Sequence, residues 1–195
     1  MEKRVLFFKV GRQLYGIDVL RTYGIENLDN FTPIMNISPH VKGLMTLRGE
    51  ILPVYSLPSK FGVEQKPMGT HTQLFIGKLR DGMMISFIMD AVQEIIEVDM
   101  NEFSETPELV KSDSTGYIEN VVKNKGVLAV MVSLDKVLDA QEKEVIRKLV
   151  DDAKKKAQEE KEEALRRQLE EEKKCREQEE RERKEKEGKN SKYSF

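Results

Sequence analysis

The first 140 or so residues say the same thing twice, and a chain built that way is constrained to fold as two related units. Gly49-Glu50-Ile51-Leu52-Pro53-Val54-Tyr55-Ser56-Leu57 leads into Pro58-Ser59-Lys60-Phe61, and Gly126-Val127-Leu128-Ala129-Val130-Met131-Val132-Ser133-Leu134 leads into Asp135-Lys136-Val137-Leu138. Both stretches read as a turn, an apolar strand, Ser-Leu, then a short helical turn. Residues 5–10 find a weaker echo in residues 73–79. Val41-Lys42-Gly43 aligns with Ile118-Glu119-Asn120, which puts two residues that tolerate positive φ in register. Two β-rich units in one domain leave a groove between them, and a groove is where a partner sits.

Apolar runs of period-two character recur about every ten residues between turn signals, the pattern of small barrels and sandwiches. Strands are predicted at 5–10, 14–19, 22–26, 44–47, 51–55, 73–79, 83–89, 93–98, 117–123 and 127–132. Arg12-Gln13, Arg80-Asp81-Gly82 and Asn124-Lys125-Gly126 are compact hairpin turns. The runs 83–89 and 127–132 are apolar on both faces and are expected to be buried from two sides. Pro53 cannot donate to a ladder, so its strand is an edge at that point or bulged there. Five strands per unit are too few for a flat sandwich; each unit is expected to curl into a small barrel that removes its exposed edges. The division expected is a first barrel over about 1–66 and a second over about 67–140, joined by a polar stretch at 63–70. A charged tail follows over 141–195.

The tail begins amphipathic. Val137, Leu138, Val145, Ile146, Leu149, Val150 and Ala153 recur at helical spacing and can dock on the barrels. Beyond Ala157 the apolar stripe fades, and Glu precedes a basic residue by four at 162/166, 163/167, 170/174, 172/176, 177/181 and 180/184. Each such pair contributes about 0.2–0.5 kcal/mol to an isolated helix. Apolar a and d positions are not sustained over the heptads a coiled coil needs. Residues 188–195 are expected to fray.

Composition narrows the function classes. Charged residues are 35% of the chain, yet the net charge is only −2, which gives no strong field for nucleic acid or an anionic membrane. Cys175 is the single cysteine, so no internal disulfide forms, and a reducing, cytosolic location is the default. Met1-Glu2-Lys3-Arg4 runs straight into a strand, too soon charged for a signal peptide. No apolar run approaches the roughly 18 residues that span a bilayer.

Catalytic signals are equally sparse. His40 and His71, the two histidines, have no ligand-spaced neighbour, so no metal site is expected. Cys175 sits among charges with no histidine near it in sequence. Asp18, Asp90 and Asp99 read as turn and hairpin residues rather than an acid/base pair. No phosphate loop or dinucleotide fingerprint occurs, and no cofactor is expected. A nucleic-acid-binding barrel and an undetected hydrolase remain the alternatives to a docking protein; the first lacks a basic, aromatic-lined stripe.

The segment Val41-Lys42-Gly43-Leu44-Met45-Thr46-Leu47-Arg48-Gly49-Glu50-Ile51-Leu52-Pro53-Val54 stands out. Gly49 permits a tight turn that holds Arg48 at an exposed apex. There the guanidinium either grips a partner's carboxylate or pairs with Glu50 or another local acid. Met45 and Leu47 belong to the core or to a groove floor. With Pro39 before it and Phe61-Gly62 after, this segment resembles the hallmark stretch of the CheW-like domain family, the adaptors of bacterial chemotaxis. The resemblance runs from about Val5 to Leu138 and takes in Ile25, Asp90-Ala91-Val92 and Tyr117-Ile118.

That resemblance implies a mainly β fold of two SH3-like five-stranded barrels, with no catalytic activity. It implies two partners: the regulatory domain of a CheA-type histidine kinase and the cytoplasmic tip of chemoreceptors. The protein would be recruited to receptor arrays at the inner face of the membrane. Arg48, Gly43, Gly49, Ile25 and Leu47 would meet the receptor, and Asp90, Val92 and Ile96 the kinase. Three departures from the family pattern are visible. The third strand reads Thr22-Tyr23-Gly24-Ile25 where an acidic residue is common before the isoleucine. Pro53-Val54-Tyr55-Ser56-Leu57 lacks the usual Asp, and Asn120 replaces a glycine.

Overall fold

Val5 to Phe8 are apolar without interruption, and the fold uses both faces of the strand they form. Val5 and Phe7 enter one core with Val98, Val122, Ala129 and Met131. Leu6, Phe8 and Val10 enter another with Ile17, Tyr55, Phe75 and Phe87. A computed structural model describes residues 2–35, 37–105, 115–124 and 126–190. Among them the elements run β1 (Glu2–Val10), β2 (Gln13–Asp18), β3 (Thr22–Asn27), β4 (Phe31–Pro33), β5 (Val41–Leu47), β6 (Glu50–Ser56) and α1 (Leu57–Lys60). The pattern then returns as β7 (Gln73–Lys78), β8 (Met84–Ile88), β9 (Ala91–Asp99), β10 (Phe103–Glu105), β11 (Ile118–Asn124), β12 (Val127–Val132) and α2 (Leu134–Val137). The helix α3 (Ala140–Asn190) follows.

The strands form two six-stranded sheets, ordered β10-β11-β12-β2-β1-β9 and β3-β7-β8-β6-β5-β4. In each sheet the two edge strands are consecutive in the chain, β9 with β10 and β3 with β4. One bent stretch therefore borders both edges, which is how a sheet curls around its own core. The short strands β4 and β10, the outer halves of these stretches, are what raise the count from the expected five to six.

The division of strands differs from the expected split near residue 66. The hairpin β1–β2 lies between β12 and β9, and the hairpin β7–β8 lies between β3 and β6. Each half of the chain thus lends its first hairpin to the other's sheet. The joints are parallel, Val130 opposite Tyr15 and Tyr55 opposite Phe87, while β1–β9 and β3–β7 are antiparallel. The exchange explains the doubly apolar runs. Alternate residues of the lent strands feed the core of the host sheet and a shared core between sheets, to which Leu134, Val137, Leu138 and Ile146 also contribute.

Several local expectations meet corrections. β8 is buried on both faces, but β12 begins exposed, with Val127 at 55% and Leu128 at 61%. The first hairpin turns at Gly11-Arg12 rather than Arg12-Gln13, since Val10 pairs with Gln13. The β11–β12 turn falls partly on Lys125, outside the described residues; of the end expected to fray, 188–195, residues 188–190 are still helix and 191–195 lie outside the described residues. Pro53 lies on a central strand, opposite Leu44 of β5, one residue before the β8 register begins at Val54. Both β5 and β11 carry an irregularity at the aligned positions, Val41/Gly43 and Ile118/Asn120. Only Gly43 takes a positive φ there; Asn120 does not.

The chain separates into two compact units, Met1–Val150 and Asp151–Phe195. In the first, α3 starts with a reciprocal cap. Asp139 Oδ1 accepts from the Glu142 N–H at 2.7 Å, and Glu142 Oε2 accepts from the Asp139 N–H at 3.1 Å. Ile146 is fully buried, with Leu149 and Val150 packed against the shared core. The second unit is helix through Asn190.

Candidate partner-binding surface

Leu47 pairs with Glu50, which leaves Arg48 and Gly49 as a two-residue turn between β5 and β6. Their φ angles are 51° and 85°. Left-handed backbone at both central residues makes this a type I′ turn, whose twist matches the right-handed twist of the strands. Glycine supplies that without strain; arginine adopts it at a cost of about 1 kcal/mol. The result is a guanidinium thrown outward, its side chain 83% exposed.

The pairing is with neither Glu50 nor a solvent-only environment. Arg48 Nη2 donates to Glu26 Oε1 on β3 at 3.2 Å. β3 and β4 form one bent stretch, so the end of β3 lies close to the β5–β6 turn; the Thr46 N–H donates to Asn30 O at 3.3 Å there. Among the described residues this is the hydrogen bond the guanidinium makes, which leaves others of its five donors for a further acceptor. An acidic side chain therefore does stand beside Ile25, following it at Glu26, two places later than the family pattern has it. The flank of β3 adds apolar surface: Tyr23 is 65% exposed and Ile25 38% exposed. The Lys78 amine lies 5.5 Å from the centre of the Tyr23 ring.

The other predicted residues of this surface divide by role. Leu47 is half-buried and packs on the core of its sheet, with Met45 fully inside it. Gly43 is buried at φ 153°, and a Cβ there would lie 2.2 Å from Thr32 O and 2.9 Å from Pro33 Cα. It is the close approach of β4 that requires glycine at this position.

Asp90, Val92 and Ile96 lie at the start of β9 and along it, but they do not form an open patch. Asp90 is 11% exposed; it accepts from the Gly11 N–H at 2.5 Å and meets Lys66 Nζ at 2.8 Å. It staples the β1–β2 turn and the inter-repeat link to the start of β9. Val92 packs against the shared core and Ile96 against the core of its sheet. The apolar residue facing out is Ile95, 45% exposed, with Gln93 and Glu97 beside it. Period-two alternation with Val98 inward carried that signal, but two adjacent isoleucines hid which one faced water.

Titration is concentrated elsewhere. Glu142, 7% exposed, accepts from the Tyr55 hydroxyl and pairs with Lys60 at 3.1 Å. Burial, then the Glu142 charge, pushes the Tyr55 hydroxyl far above the ordinary range. Burial likewise lifts Tyr15 to about 12, within the stack of Tyr15, Phe61 and Tyr117 rings. Among the described residues no cluster of His, Cys, Asp and Glu gathers as metal ligands would. No described helix is long and apolar enough to cross a membrane.

Two curled sheets share a core and present an exposed hairpin apex. Residues 4–142 match the model of the CheW-like domain, and the chain belongs to that family, one of scaffold and adaptor proteins rather than enzymes. The chemotaxis protein CheW of Bacillus subtilis is 28% identical over 140 residues, spanning 72% of this chain and 88% of that protein. CheW of Klebsiella aerogenes is 26% identical over 138 residues, 70% and 82% of the two chains. In fold, the chain resembles the crystal structure of the scaffolding protein TtCheW from Thermoanaerobacter tengcongensis, with a TM-score of 0.63 and 24% identity. That match covers 72% of this chain and 90% of the other.

Proposed function

We propose that this protein couples the cytoplasmic tips of chemoreceptors to a CheA-type histidine kinase, holding both without reacting with either. The observation that carries the reading is Arg48, projected from a left-handed turn and engaged, among the described residues, by the Glu26 carboxylate. Receptor contact falls on this apex together with Ile25 and the half-buried Leu47, while Gly49 shapes the turn and Gly43 keeps β4 close beneath it. Kinase contact falls on β9, where Ile95 is the reachable apolar side chain and Asp90, Val92 and Ile96 fix the strand that presents it. Such an adaptor changes kinase output only by binding partner states with unequal affinity. This would take place at receptor arrays on the inner face of the membrane.

The test is a titration of a receptor-tip fragment and of the kinase regulatory domain against the wild type and Arg48→Glu. Receptor affinity is expected to fall by about 1–3 kcal/mol, the scale of a hydrogen bond to a charged group, with kinase affinity and folding unchanged. Unchanged receptor affinity would remove the assignment of Arg48.

A further inference from the structure

The family match ends at residue 142, and the helix continues to Asn190. We propose that residues 151–190 form a self-supporting single helix, a stiff arm of about 60 Å at 1.5 Å per residue that takes no helical partner. This does not rest on the coupling function proposed above.

The first observation is the order of charges. Stepping by four along this stretch, signs alternate in rows: Glu162-Arg166-Glu170-Lys174, Glu172-Arg176-Glu180-Lys184 and Glu177-Arg181-Glu185-Lys189. Residues four apart are neighbours on one face, so Arg166 stands between the carboxylates of Glu162 and Glu170, one a turn before it and one a turn after. The structure shows both senses of contact. Arg167 is bonded back to Glu163 at 2.5 Å, whereas Arg166 reaches forward to Glu170 at 3.5 Å. Glu162, the backward choice for Arg166, accepts instead from Gln158 at 3.3 Å. A cation with two acceptors in reach keeps a partner whichever rotamer it adopts, which lowers the entropy lost in holding the pair.

The second observation is what the helix does not offer. Leu165 and Leu169 are 58% and 57% exposed and are flanked in their row by Lys161 and Lys173 rather than by further apolar residues. A two-helix seam needs apolar residues every three or four positions over several heptads, and these rows are occupied by charges. Acidic and basic side chains are nearly equal in number, so the arm has neither the basic face of a membrane-surface helix nor that of a nucleic-acid-binding one. Nucleation, the unfavourable step for an isolated helix, is already met at residues 140–150, where the Asp139–Glu142 cap and buried Ile146 fix the first turns.

The experiment uses the full chain with Cys175→Ser, which removes the only thiol, and spin labels at Lys154→Cys and Glu187→Cys. Pulsed dipolar spectroscopy is expected to give one narrow distance near 50 Å, the helical rise over that span. Sedimentation equilibrium is expected to give a monomer mass at every concentration. A broad distribution centred near 30 Å, the flexible-chain value, would overturn the proposal, as would a mass that doubles with concentration. A second chain with Arg166, Arg167, Lys173, Lys174 and Arg176 all changed to Glu breaks the first two rows. Its distance is expected to collapse toward the flexible value while thermal unfolding of the 1–150 unit is unmoved. A distance still near 50 Å in that chain would show that the charge rows do not hold the helix.

Discussion

The Tyr55 hydroxyl donates to the Glu142 carboxylate, 3.0 Å from Oε1, across 87 residues of chain. Tyr55 is the next-to-last residue of β6 and Glu142 lies in the first turn of α3, so this bond ties the start of the C-terminal helix to the first repeat. Lys60 neutralises the same carboxylate, and the Asp139 N–H and the Ser38 hydroxyl also donate to it.

Removing members of this cluster one at a time is expected to give unequal losses. Tyr55→Phe leaves Glu142 paired with Lys60 and should cost about 1–2 kcal/mol. Lys60→Met leaves an almost fully buried carboxylate without its cation and should cost about 3 kcal/mol. Adding Glu142→Gln to Lys60→Met should recover a large part of that loss. Urea denaturation of the four chains checks the order, and equal losses for the two single variants would contradict it.

His40 gives stability a pH dependence of known sign. Burial holds its folded pKa below the ordinary 6.5, with Lys60 and Lys42 opposing protonation and Glu142 and Asp139 favouring it. A group lowered on folding binds fewer protons when folded. Its contribution is therefore full above the unfolded value and is lost as pH falls through 6.5 toward the folded value. Denaturation midpoints at pH 7.5 and 5.5 should differ less in His40→Gln than in the wild type.

Gly43 and Gly49 should separate packing from recognition. Gly43→Ala drives a Cβ into Thr32 O and is expected to cost about 3 kcal/mol, combining strain with overpacking. Gly49→Ala meets nothing within 4 Å and should cost about 1 kcal/mol, from backbone conformation alone. If receptor binding falls in Gly43→Ala, a lowered unfolding temperature should accompany it. The same fall at undiminished stability would assign Gly43 a direct contact.

Asp90→Ala removes the acceptor for the Gly11 N–H and the partner of Lys66. A loss of about 1–2 kcal/mol is expected in thermal or chemical unfolding. Kinase binding should respond more to Ile95→Ala, which alters an exposed side chain and should leave stability within about 0.5 kcal/mol. A binding competition that ranks these two in the reverse order would move the kinase contact to the β1–β2 turn.

The repeat, ten of the twelve strands, the tight turn at Arg48 and the charged helix were legible in the sequence because each is written in local terms; the short β4 and β10 were not. Period-two alternation, a glycine at a turn and charges four apart act between near neighbours, and their physics does not wait for the rest of the chain. Tertiary structure alone decided that β1–β2 and β7–β8 change places, that Arg48 meets Glu26 rather than Glu50, and that Glu142 is buried under Tyr55. Backbone donors and acceptors are alike in every strand, so no strand encodes which other strand it will lie beside. That choice follows from burying both faces of the lent hairpins at once, a condition met only when the whole core has assembled.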